Sequence, residues 1–154
     1  MNERPWAERD LVLDTNVLIY LSRADATGRW LHSTYLAVRE RSPIVSVVAV
    51  AEARQFARAH EWSLEKNERL RRIVQRCIVR DVTEDDASLI EAYIELDGES
   101  RRLGHRMGKN DLWIAAETRR LGAVLLTSDL DFERVATAGQ VTVDRFESLQ
   151  KTAG

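Results

Sequence analysis

A chain of 154 residues with 44% hydrophobic and 31% charged residues is long enough to bury a core of its own, and it lies outside the composition of disordered chains. Its formal charge of −2 argues against a polyanionic partner, although that total hides how the charges are distributed. One cysteine, Cys77, excludes an internal disulfide, and its helical spacing from Leu70, Ile73 and Val74 reads as core. One domain over residues 1–154 is the expectation. Residues 1–10 carry charge and Pro5 rather than an apolar leader, and no later segment approaches a membrane span, so a cytoplasmic location is expected.

Short apolar runs at 11–13, 44–46, 77–82, 123–127 and 140–143 read as buried strands, with helical patterns between them. Residues 29–41 form one such pattern. A second, 47–60, follows Ser46 as N-cap, and a third, 63–76, starts at Ser63. Thr83 with Asp86 three residues on resembles a capping box opening a helix to about 103. Residues 110–121 take Asn110 as N-cap and Gly122 as stop, and a short helix holds Phe132 and Val135. The segment 98–110, GESRRLGHRMGKN, is the expected mobile loop. Strands alternating with helices predict an α/β layer fold with a mostly parallel sheet.

In such a fold ligands gather beyond the carboxyl ends of the strands. Asp14 closes the first apolar run, Asp129 lies two residues beyond Thr127, and Asp111 opens a helix near the same rim. Each also has a structural reading, as an N-cap, a partner of the helix dipole or, for Asp129 and Asp131, an Asx-turn. Glu52 differs, because its helical neighbours Val48, Ala49, Gln55 and Phe56 include no base. A carboxylate on that largely apolar face needs a distant Arg, a raised pKa or a cation. Four converging acids predict a divalent cation, and an all-oxygen donor set favours Mg²⁺ or Mn²⁺ over zinc. His32, His60 and His105 show no zinc-binding spacing and read as surface or core residues.

The ordered blocks LVLDTN, VAVAEARQF, GKNDLWIAAE and LLTSDLDF resemble the PIN-domain nucleases, and within them the VapC-type toxins of type II toxin–antitoxin modules. The likeness covers nearly the whole chain. It implies a five-stranded parallel sheet between helices and metal-dependent hydrolysis of RNA. The family's acidic site falls on Asp14, Glu52, Asp111 and Asp129, of which Asp14, Asp111 and Asp129 would hold metal directly while Glu52 binds metal or orients water. Asn16, Ser128 and Asp131 stand in supporting places. A cognate antitoxin and a homodimer are implied as partners. The arginine-rich middle around 66–80 matches no diagnostic block.

Arg101, Arg102, His105, Arg106 and Lys109 lead into Asp111, so a basic segment that grips substrate phosphates is expected at the lip of the cleft; a solvated loop is the alternative. Only three of the 23 basic residues are lysines, Lys66, Lys109 and Lys151, a bias that suits phosphate contacts but that a GC-rich genome also produces. Setting the four rim acids aside changes the formal charge from −2 to +2, an acidic pit in a mildly basic surround. Trp6, Trp30, Trp62 and Trp113 offer stacking surfaces but more often build cores, Trp113 especially. A phosphoacceptor domain lacks its rim lysine here, and a non-catalytic binding module would have lost an acid. A housekeeping RNA-processing nuclease remains the runner-up to a toxin.

Overall fold

A computed structural model describes residues 8–83 and 86–149, which leaves Trp6 and Lys151 outside the described residues. Five strands, β1 (Leu11–Leu13), β2 (Ile44–Ser46), β3 (Ile78–Arg80), β4 (Val124–Thr127) and β5 (Thr142–Arg145), form one sheet in the order β3-β2-β1-β4-β5. Every pairing is parallel. Parallel strands need crossovers, and helices supply them: α1 (Thr15–Arg23), α2 (Ala26–Leu31), α3 (Val47–Ala59), α4 (Leu64–Gln75), α5 (Ala87–Arg102), α6 (Lys109–Arg120) and α7 (Glu133–Thr137). The expected α/β architecture, a five-stranded parallel sheet sandwiched between helices, is the one observed.

The central strands are apolar throughout because helices cover both faces. Leu11, Val12, Leu13, Val124, Leu125 and Leu126 are fully buried, whereas Ile78 and Val79 on the edge strand β3 stay exposed. Chain order reverses at β1: the chain steps outward to β2 and β3, then returns to place β4 on β1's other side. The switch point therefore lies between the carboxyl ends of β1 and β4.

Local chemistry sets the helix limits. Ser46 Oγ accepts from Val48 N at 3.1 Å and Ser63 Oγ from Lys66 N at 3.2 Å, so both expected N-caps stand. Gly122, at φ +62°, ends α6 as expected. Three expected boundaries move. The cap of α6 is Gly108 and not Asn110, which falls inside the first turn. For α5 the cap is Asp86 itself, whose Oδ1 accepts from Leu89 N at 3.0 Å, while Thr83 O accepts from Asp86 N in the preceding turn. The helix expected at 29–41 begins instead at Ala26, capped by Asp25 on Gly28 N at 2.9 Å, and gives way to a π-helical turn over His32–Leu36. That wider turn seats Tyr35 and Trp30 edge to face at 5.8 Å, with Trp30 6.0 Å from Phe146.

The strand expected at 140–143 is shifted to Thr142–Arg145, because Gln140 N bonds Val135 O and completes the turn after α7. β3 is shorter than the run 77–82 that announced it. Much of the expected loop at 98–110 is helical, since α5 continues to Arg102 and α6 starts at Lys109. Trp30, Trp62 and Trp113 all pack against the core, and Cys77 is partly buried beside it. Among the described residues no helix is long and apolar enough to cross a membrane.

Candidate metal centre

Asp14 is the first residue beyond β1. Its backbone N–H continues the ladder to Leu126 O at 3.1 Å, and its side chain caps α1. Oδ1 accepts from Thr15 N at 2.7 Å; Oδ2 accepts from the Thr127 hydroxyl at 2.7 Å and from Asn16 Nδ2 at 3.1 Å. The N-cap reading of Asp14 is therefore observed. A cap alone, however, does not require the web behind it. Asn16 Nδ2 also reaches Thr127 Oγ1 at 3.2 Å, Asn16 Oδ1 accepts from Ser128 N at 3.2 Å, and Thr127 Oγ1 accepts from Asp129 N at 2.9 Å. These bonds lock the ends of β1 and β4 together at the switch point.

Asp14 is only 3% exposed. Burial pushes its carboxyl up to about 6, against the opposing pull of the Thr127 and Thr15 hydrogen bonds, with Asp129 and Glu52 adding repulsion. Asp111, in the first turn of α6, is raised further, to about 7, by burial first and then by the charges of Asp14, Asp129, Glu52 and Asp131. All of these acids thus lie close enough to Asp111 to repel its charge. Glu52 is held by Thr15, whose hydroxyl donates to Oε1 at 2.8 Å. Among the described residues none of Asp14, Glu52, Asp111 or Asp129 forms an ion pair, so the distant arginine considered for Glu52 is not there.

One carboxylate oxygen each from Asp111, Asp129 and Asp131 lie within 4.8 Å of one another. Asp131 is thus better placed than its supporting role suggested, because Asp129 Oδ1 accepts from Asp131 N at 2.9 Å and folds a 3-10 turn (Leu130–Phe132) that returns Asp131 to the same mouth. Asp14 lies deeper, its oxygens engaged by neighbouring donors. All donors are carboxylate oxygens, and the proton affinity of Asp111 is raised by burial first and by the surrounding acids second, a setting that fits a hard divalent cation. Among the described residues no histidine or cysteine joins the cluster, although His105 Nε2 stands 3.7 Å from Asp131 Oδ1.

The basic segment divides. On α5, Arg101 pairs with Asp97 at 3.1 Å and Arg102 with Glu99, so both turn to their own helix. Arg106 and Lys109 are exposed and make no ion pair among the described residues; Lys109 opens α6 two residues before Asp111. Thr15 and Thr127 escaped notice in the sequence. The signal available was position alone, each hydroxyl falling where a strand gives way to the rim.

The sequence matches the PIN domain family over residues 11–138. The chain belongs to the PIN domain family. No curated protein matches the sequence. Among solved structures, this PIN domain shares its fold with a chain of the VapBC2 complex from Rickettsia felis bound to a DNA fragment from its promoter (20% identity, 89% of this chain and 98% of that one, TM-score 0.73). It is also similar to a member of the VapBC family of toxin–antitoxin systems, VapBC-5, from Mycobacterium tuberculosis (23% identity, 90% and 99% covered, TM-score 0.65). A third, VapC20 of the same organism, is described as a sarcin-ricin loop cleaving toxin (20% identity, 84% and 95% covered, TM-score 0.62).

Proposed function

We propose that this PIN domain is a Mg²⁺- or Mn²⁺-dependent endoribonuclease, the toxin of a type II toxin–antitoxin pair. The observation that carries the reading is the convergence of carboxylate oxygens from Asp111, Asp129 and Asp131 within 4.8 Å of one another at the sheet's switch point, where burial and four neighbouring acids also raise the proton affinity of Asp111. Asp111 and Asp129 are the residues we assign to hold the ion, with Asp14 beneath them and Asp131 at the mouth. A bound divalent cation supplies an acidified water and charge neutralisation at phosphorus. Glu52, fixed by the Thr15 hydroxyl, would help to hold the ion or orient the water. Asn16 and Ser128 hold the loop rigid, and Arg106 and Lys109 meet substrate phosphates at the lip, while Arg101 and Arg102 join them only by leaving exposed pairs that hold weakly.

The carboxylates themselves do not distinguish RNA from DNA. Preference for RNA, a cognate antitoxin and a homodimer rest on the family and on the toxin–antitoxin complexes that share the fold. The test uses purified protein with structured and unstructured RNA, with Mn²⁺ or Mg²⁺ and then with chelator, beside Asp14→Asn and Asp111→Asn. Cleavage should vanish with chelator and fall on the order of 100-fold or more in each variant. Equal cleavage by wild type and both variants would reject the site.

A further inference from the structure

Phe56 and His60 follow Glu52 on one face of α3, one and two turns further on, so a stripe of about 12 Å runs from the acidic rim down the side of the molecule. The two rings stack at 3.8 Å with an interplanar angle of 20°, and Trp62 meets Phe56 edge to face at 5.9 Å. Two cations cap them. Arg23, in the last turn of α1, lies 5.4 Å from the Phe56 ring centre, and Lys66 lies 5.9 Å from that of Trp62.

α1 and α3 therefore meet twice: Thr15 with Glu52 at the rim, Arg23 with Phe56 below it. Phe56 is not among the residues that pack on the core, and His60 is exposed. Part of this cluster serves the helix, since His60 Nδ1 lies 2.9 Å from Phe56 O. That role explains neither the cations nor the exposed ring face. Arg54 and Arg58 on the same helix are exposed, and none of Arg23, Arg54, Arg58 and Lys66 forms an ion pair among the described residues. Of the acids close in sequence, Glu52 stands one turn before Phe56, Glu61 follows His60, and Glu65 is taken by Arg69 at 3.0 Å. On a chain of net charge −2 this is a locally basic, ring-bearing surface.

Aromatic rings flanked by unpaired cations suit unpaired nucleotides, whose bases stack and whose phosphates take the charge. We propose that the Phe56–His60–Trp62 cluster, with Arg23 and Lys66, is a docking platform for single-stranded RNA whose bases stack on the His60 face while the strand continues toward the acidic rim. The proposal rests on the nuclease reading for its direction of travel, but its chemistry needs no metal.

The test measures binding of a fluorescent unstructured RNA and of its abasic counterpart in chelator, where cleavage cannot interfere. His60→Ala and Phe56→Ala should weaken binding of the base-bearing RNA by about 5- to 150-fold each, the range for losing a base stack, and leave the abasic strand nearly unaffected. His60→Tyr should restore it. Arg23→Gln and Lys66→Gln should each reduce the salt slope by about 1 on both RNAs. Unchanged affinity in correctly folded His60→Ala and Phe56→Ala, checked by thermal melting, overturns the platform, as does loss of a dimer in Phe56→Ala with RNA affinity intact, which would make the face a contact between copies. Metal-dependent cleavage by wild type separates the two claims: platform binding without cleavage defeats the nuclease reading alone, and cleavage with no effect of these substitutions defeats the platform alone.

Discussion

Thr127 Oγ1 donates to Asp14 Oδ2 and accepts from Asn16 Nδ2 and Asp129 N, using one proton and two lone pairs with nothing left over. The residue is fully buried. Thr127→Val keeps the shape and removes all three bonds, so it should cost about 1–3 kcal/mol in urea denaturation, chiefly from the donors left unsatisfied. At the same scale, Asp14 and Asp111 bind protons more tightly folded, at about 6 and about 7, than at the ordinary 3.8 of an unfolded chain. Their contribution to stability is fully present below the unfolded value and is lost as pH rises through 6 and then 7. Metal-free protein should therefore lose melting temperature from these groups between about pH 5 and about pH 8, while Mn²⁺, which competes with protons for the same oxygens, should stabilise more at the higher pH. Calorimetry at both pH values, with and without Mn²⁺, checks the sign.

The packing of α1 on α2 depends on one hydrogen atom. A Cβ at Gly28 would lie 2.2 Å from Tyr20 O, a backbone atom that has no rotamer to escape into. Gly28→Ala should cost about 1–3 kcal/mol in chemical denaturation by forcing the two helices apart. Elements of this kind were legible in the sequence where a residue type admits one role: Ser46, Ser63 and Gly122 cap as read. They were misread where neighbours compete. Asn110, Gly108, Thr83 and Asp86 are all plausible ends, and choosing among them needs the tertiary contact that only the folded chain supplies, such as Arg120 beside Asp86 at 3.3 Å. The helix expected at 29–41 failed for a related reason, since Asp25 as cap lay outside the apolar pattern that suggested it.

Across the whole molecule, one buried carboxylate ties three elements together. Glu117 on α6, 3% exposed, accepts from Arg80 of β3 at 3.0 Å and from Arg120 at 2.9 Å, and Arg120 also reaches Asp86 at the start of α5. Glu117→Gln should weaken both contacts, lower stability by about 1–3 kcal/mol and speed hydrogen exchange at the β3 edge, read by mass spectrometry. At this scale the sheet was readable because apolar runs alternate with helices, and the rim positions of Asp14 and Asp129 were readable because strand ends mark the rim. The web of Thr127, Asn16 and Ser128 was not, because its partners stand 111 and 112 residues apart and no local pattern encodes their meeting. The Asx-turn at Asp129 was legible as a turn, while its returning Asp131 to the side of Asp129 was not.

β4, although made near the end of the chain, slots in beside the first strand. A ribosome that has released three strands has already produced Asp14 and Glu52 but none of the carboxylates that face them. On the nuclease reading, Asp129 and Asp131 reach the rim through the pairing of β4 with β1, so a chain halted before that four-residue strand lacks two of the acids that surround Asp111.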